Sequence, residues 1–199
     1  MTNLRFVEDV QEDINVSKKR FRAYMKEVRS AIDNRDVKEE LLQKKTLSFL
    51  EEHSKTVQEK KVFVYLSFSS EASTDTLIDK LLKRGYDVYC PRTENGVMTA
   101  VSYGEDFTLS AFGTREPIGE TLTVAPDFVI IPLLAVDKQG NRLGYGKGFY
   151  DAYLRKYPTA KRIGYCFSCQ IRKEIPHTEQ DEKLDVIISE DGVQYVTKT

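Results

Sequence analysis

Cysteine is scarce in this sequence, and nothing in its spacing arranges it for cross-linking or metal binding. The three cysteines are Cys90, Cys166 and Cys169. The polar N-terminus also lacks the apolar core of a secretory leader, so a disulfide framework is excluded as the organising device. Cys166 and Cys169 form a C-x-x-C, but a tetrahedral zinc site needs two more ligands. Neither Cys90 nor the two histidines, His53 and His177, show paired spacing. A redox pair would open a helix after a strand. The expectation is ordinary thiols, buried or half-buried.

An excess of charge of either sign is missing as well. Thirty Lys and Arg against 31 Asp and Glu leave a net charge of −1, which gives no global field to draw in nucleic acid or an anionic membrane. Long apolar runs are absent too. The strongest, FVIIPLLAV at 128–136, falls far short of the roughly 18 residues that a spanning helix needs. Repeats and low-complexity tracts do not occur. These absences predict a cytoplasmic protein with no nucleic-acid or membrane partner, one domain over 1–199 with a substantial core, and any anion site strictly local.

What is present is concentrated in GNRLGYGKGFYD, residues 140–151. It follows the apolar run and precedes AYLRKY, so a strand, a glycine-rich turn and a helix start come in that order. Gly144, Gly146 and Gly148 let backbone N–H groups curl toward an anion, and the helix start adds free amides and partial positive charge. Arg142 and Lys147 flank the turn, one a bidentate fork and the other a point charge. Glycines at such junctions are often turn residues only, and the string fits neither the Walker pattern nor G-x-G-x-x-G. Phosphate is nevertheless the first ligand to consider.

The rest of the chain reads as alternating strands and helices. Phe21, Tyr24, Met25, Val28 and Ile32 have helical spacing, which predicts an amphipathic helix over 17–32 with Ser17 as a possible cap. Lys18, Arg22, Lys26 and Arg29 form a basic stripe on one edge of it, within a sector of about 80°. For Lys26 and Arg29 the expectation is a solvated face. A second helix covers 35–54, and a linker over 53–61 leads to a strand at 61–67. A helix at 74–84, a strand at 86–90, a sheet element near 97–102, a strand at 127–131, a helix at 148–157 and strands near 161–167 and 185–188 follow. This order predicts a three-layer α/β fold: a mainly parallel, doubly wound sheet with helices on both faces and an N-terminal helical pair. Ligands then collect beyond the carboxyl ends of the strands, at residues 67–74, 91–96 and 137–148.

The string from Pro132 to Asp151, PLLAVDKQGNRLGYGKGFYD, resembles the signature of the 5-formyltetrahydrofolate cyclo-ligases (methenyltetrahydrofolate synthetases), roughly P-G-x-x-F-D-x-x-G-x-R-L-G-x-G-x-G-Y-Y-D. KKRFR (18–22), YLSFSSEAST (65–74), CPR (90–92), EP (116–117) and QDEKLDVII (180–188) extend the likeness over nearly the whole chain. Leu133, Val136 and Ser73 depart from the family's usual glycine, aromatic and acidic residues. The resemblance implies ATP- and magnesium-dependent closure of 5-formyltetrahydrofolate to 5,10-methenyltetrahydrofolate, with release of ADP and phosphate. Phosphorylation of the formyl oxygen makes it a leaving group, and the neighbouring amine nitrogen then attacks the activated carbon.

The same resemblance assigns residues. Lys18 and Arg22 meet the nucleotide phosphates together with Arg142, Gly144, Tyr145, Gly146, Lys147, Gly148, Phe149 and Tyr150. Arg142, Lys147 and Tyr150 are the candidate catalytic groups. Asp151 and Asp181 are the candidate magnesium ligands, with Asp185 a weaker third; charge compensation at a helix N-terminus is the competing, less favoured reading of Asp151. Glu71, Glu116 and Tyr150 face the folate. Of the neighbouring rings Phe149 and Tyr150, one should enter the core, and Tyr150 is favoured as the pterin surface. Glu116 either faces the site or fixes a turn. The expected assembly is a monomer or weak homodimer. A non-catalytic nucleotide- or folate-binding protein of the same fold is the alternative, and an ATP-independent isomerase or acyl transferase on a similar scaffold is a third reading.

Overall fold

The computed structural model describes residues 13–54, 60–110 and 113–197, so the linker expected over 53–61 lies mostly outside the described residues. Two helices open the chain, α1 (Ile14–Ser30) and α2 (Arg35–His53). Helix α1 starts earlier than the apolar spacing suggested. Asp13 is its N-cap, accepting from the Asn15 amide at 2.7 Å, and Ser17 lies inside the helix. Strand β1 (Lys61–Val64), helix α3 (Asp75–Leu82), β2 (Asp87–Glu94) and β3 (Val97–Ser102) follow. Then come β4 (Phe107–Leu109), β5 (Arg115–Pro117), β6 (Phe128–Ile131), β7 (Ala135–Asp137) and β8 (Arg142–Leu143). Helix α4 (Phe149–Lys156), β9 (Lys161–Tyr165), β10 (Ile171–Arg172), β11 (Val186–Ile188) and β12 (Val193–Tyr195) complete the order.

The main sheet runs β12-β11-β9-β6-β1-β2-β3. Pairings among β11, β9, β6, β1 and β2 are parallel, and the two edge strands β12 and β3 are antiparallel. Side chains alternate across it as the two-residue period requires. Val62, Val64, Phe128, Ile130, Ile163, Val186 and Ile188 pack with Leu42 and Leu50 of α2 and Leu77, Ile78 and Leu81 of α3. Phe63, Val129, Ile131 and Ile187 pack on the opposite side with Tyr153 and Leu154 of α4. Helices therefore cover both faces, as expected for an α/β sheet of this kind.

The apolar run 128–136 is not one strand. It leaves the main sheet after Ile131 and re-enters order as β7, which pairs with β8 and β10 in a separate three-stranded sheet. Leu133, in the turn between, is buried and does not have positive φ, so a side chain is accepted there without backbone strain. Gly164 makes room for it: a Cβ on Gly164 would sit 3.1 Å from Leu133 Cδ2 and 2.5 Å from Leu184 Cδ1. Helix α1 packs on this small sheet through Met25, Leu134, Ala135 and Leu143. The strand order reverses between β1 and β6, which opens a crevice at their carboxyl ends.

Candidate active site

That crevice is a cleft of about 1090 Å³, and every residue singled out from the sequence as a site candidate lines it except Asp185. Asp185 stands just before β11, at the amino end of the sheet, where its Oδ2 accepts the Arg162 amide at 2.9 Å. It braces two strand starts on the side away from the cleft, which removes it as a third metal ligand.

One wall is cationic. The Lys18 ammonium donates to Asp181 Oδ2 at 2.5 Å, and the Thr178 amide donates to the same oxygen at 2.7 Å. Burial alone would raise the Asp181 pKa, but the Lys18 ammonium and the Thr178 amide outweigh it and hold the carboxyl below its usual range. Arg22, one helical turn further, donates from Nε to the Gly144 carbonyl at 2.9 Å. Arg142 is buried in β8, and burial lowers its pKa against the opposing pull of Asp151. Its Nη2 donates to Asp151 Oδ1 at 2.8 Å, an oxygen that also takes the Glu182 amide at 3.0 Å. The Arg142 Nε is buried with no partner among the described residues.

The glycines divide into two kinds. Gly146 and Gly148 have φ of +91° and +72°, the left-handed region, whereas Gly144 does not. A Cβ on Gly146 would lie 2.9 Å from Arg22 Cζ, so this loop and that guanidinium are in contact. Gly148 is the N-cap of α4 and, being glycine, brings no side chain of its own to the helix start. The positive end of the helix lies at the cleft, where it favours an anion.

The opposite wall carries Glu71, in the loop after β1. It is 4 % exposed, its Oε2 accepts the Phe68 amide at 3.1 Å, and its Oε1 is buried with no hydrogen-bond partner among the described residues. Burial pushes its pKa up to about 7, against the pull of the Phe68 amide, the Arg29 charge and the Tyr145 hydroxyl. Glu116, in β5, accepts the Thr93 amide at 3.0 Å and so ties β5 to β2 while lining the cleft. Phe149 and Tyr150 do not divide into one core and one site ring. Both are half-buried and both line the cleft. The Tyr150 ring also stacks 6.2 Å from Phe63 and lies 5.9 Å from the Arg142 guanidinium, because the first turn of α4 sits across the strand ends.

Two expectations for the basic stripe separate here. Lys26 is exposed. Arg29 is 2 % exposed and donates to Ser70 Oγ, the Leu133 carbonyl and the Tyr145 hydroxyl, which corrects the solvated-face reading. Its helical angle falls between those of Lys18 and Arg22, and that was the available signal. Arg35 was also missed; it donates to the carbonyls of Ser70 and Glu71 at 2.8 and 2.5 Å. Cys90 and Cys166 are buried thiols pushed upward by burial, and no cluster of metal-ligating His, Cys, Asp or Glu occurs among the described residues. No described helix is long and apolar enough to cross a membrane.

Fold and cleft together define an α/β enzyme that gathers cations, a helix start and a buried carboxylate beyond the carboxyl ends of its strands. A family model described as the 5-formyltetrahydrofolate cyclo-ligase family matches residues 14–190. The chain belongs to that family and is a ligase. The 5-formyltetrahydrofolate cyclo-ligase of Mus musculus is 28 % identical over 200 residues, spanning 90 % of this chain and 96 % of the relative. That of Escherichia coli K12 is 32 % identical over 139 residues, 64 % of this chain and 76 % of the relative. The solved structure of Aquifex aeolicus 5,10-methenyltetrahydrofolate synthetase superposes with a TM-score of 0.76 at 26 % identity, covering 92 % of this chain and 94 % of that one.

Proposed function

We propose that this chain converts 5-formyltetrahydrofolate to 5,10-methenyltetrahydrofolate with ATP and magnesium, releasing ADP and phosphate, in the cytoplasm. The observation that carries the reading is the division of one cleft into a cationic wall and a wall bearing a buried carboxylate with an unpartnered oxygen. The residues fit a polyphosphate: Lys18, Arg22, Arg142 and Lys147 line the cleft with two left-handed glycines and the start of α4, and Arg142 Nε lacks an acceptor among the described residues. They also fit a hard cation, since Asp151 and Asp181 stand beside that cradle and magnesium takes few carboxylates and several phosphate or water oxygens. Bound there, magnesium would neutralise charge on the transferred phosphoryl group.

The chain's own groups then have definite tasks. The cations and loop amides hold the phosphates and stabilise charge that grows on the γ-phosphoryl oxygens as the formyl oxygen attacks phosphorus and ADP departs. Glu71 accepts an N–H of the folate at Oε1, which supplies the missing partner and fixes the nitrogen that bears the formyl group. The neighbouring amine nitrogen attacks the formyl carbon, its proton leaves, and phosphate carries off the formyl oxygen. Tyr150 offers its face beneath the pterin, and the half-buried cleft holds the two nitrogens close. A continuous absorbance assay for the methenyl product, with and without ATP and magnesium, tests the reading. Product only with both present is the expected result. Thermal stabilisation by nucleotide with no product would instead identify a non-catalytic binding protein.

A further inference from the structure

Arg29 is a buried guanidinium without an ion pair among the described residues, although burial of a charge is costly unless strong interactions compensate it. Its three donors reach three different segments. Nε donates to Ser70 Oγ at 3.1 Å in the loop after β1, Nη1 to the Leu133 carbonyl at 3.2 Å after β6, and Nη2 to the Tyr145 hydroxyl at 2.5 Å in the glycine loop. Ser70 adjoins Glu71 on one side and Ser69 on the other, and Ser69 is held at φ +55°, a strained conformation for a residue with a side chain. Tyr145 lies between Gly144, whose carbonyl anchors Arg22, and Gly146, against which Arg22 packs. The Phe68 and Tyr145 rings, 5.3 Å apart, bring the same two loops together above this link. Arg35 holds the Glu71 loop from another side through the Ser70 and Glu71 carbonyls.

We infer that Arg29 is a positioning residue that couples the two halves of the cleft, so that nucleotide and 5-formyltetrahydrofolate bind more tightly together than apart. A polyphosphate seated on the glycine loop fixes Tyr145, and the rigid guanidinium carries that order to Ser70 and the Glu71 loop. Folate bound against Glu71 acts in the reverse direction by the same link, as thermodynamic reciprocity requires. A planar fork suits the task because its donors keep a fixed mutual geometry. The inference rests on the proposed function.

The test is a set of calorimetric titrations. A non-hydrolysable ATP analogue with magnesium and 5-formyltetrahydrofolate are each titrated alone and in the presence of the other. The proteins are wild type, Arg29→Lys, Arg29→Leu, Ser70→Ala and Tyr145→Phe. Wild type should show at least fivefold tightening in both orders. Ser70→Ala, which cuts the link outside both binding walls, should keep folate affinity within about threefold while the tightening falls below twofold. Tyr145→Phe should also lower the tightening, by cutting the other end of the link together with the hydroxyl's own pull on Glu71, and Arg29→Lys should restore part of what Arg29→Leu loses. If Arg29→Leu does not fold, Ser70→Ala and Tyr145→Phe still decide. Fivefold tightening that persists in both would overturn the inference and leave Arg29 a structural post. Two ligands that bind wild type independently would overturn it while the proposed function stands. A wild type that binds neither ligand would bring down both.

Discussion

At the scale of single residues, Glu71 combines burial, an unpartnered oxygen and a pKa raised to about 7. A carboxyl whose folded pKa lies above its unfolded value near 4.5 favours the fold while it is protonated in both states. That contribution is complete below about pH 4.5 and is lost as pH rises through about 7. Without ligand, urea denaturation at pH 4.5 and 8 should therefore show Glu71→Gln flatter than wild type. The pH-dependent difference should be on the order of 3 kcal/mol, from one pKa unit being worth about 1.4 kcal/mol. Identical slopes would mean that water reaches the carboxyl. Asp151 has a different character: it already neutralises Arg142 and caps the Glu182 amide. Asp151→Asn should raise the magnesium concentration needed for half-maximal product formation several-fold, which a magnesium titration of the assay reads directly. An unchanged titration would leave Asp151 as the partner of Arg142 alone.

At the scale of elements, the glycine loop and α1 act as one device, since Gly146 has no room for a Cβ beside Arg22. Gly146→Val should abolish measurable turnover, through positive φ and through displacement of that guanidinium. Gly144→Ala should cost less than Gly146→Val, because its φ lies outside the left-handed region and its Cβ would meet only Arg142 Nη1, at 3.3 Å. Steady-state kinetics of the two variants check the contrast, and equal damage would show that the loop needs Gly144 for a reason other than space. Much of this device was legible in the sequence. The order strand, glycine turn, helix was visible in spacing alone. Spacing also put Lys18 and Arg22 on one basic edge of the helix, but only the family resemblance, not the spacing, turned that edge toward a phosphate site. The start of α1 was not, because Ile14 and Val16 are exposed and carry no apolar stripe, and the cap that matters is Asp13. Arg29 was legible as to face but not as to burial. A helix that packs on the small sheet β7-β8-β10 rather than facing solvent can only be recognised once that sheet is seen.

At the scale of the whole molecule, the main sheet apart from its edge strand β12 could be anticipated from its alternating pattern, but β12 and the two smaller sheets could not. Strands of two or three residues, such as β8 and β10, are too short for a period to register. Leu133 shows how the pieces are joined: it is buried against Gly164 of the main sheet, while its carbonyl accepts from Arg29 and Gln170. Leu133→Ala should cost about 2–5 kcal/mol of unfolding free energy by leaving a cavity at this junction. Chemical denaturation checks it, and a loss below about 1 kcal/mol would mean that the surroundings collapse to fill the space. The ion pair of Lys18 with Asp181 joins positions 163 residues apart. During synthesis, therefore, the cationic wall stays open until the segment after β10 has emerged and docked. Contacts of such sequence separation carry the largest loop-closure cost and form slowly. In refolding, the helical signal should return before the capacity to make product, and a nascent chain would acquire its shape before its chemistry.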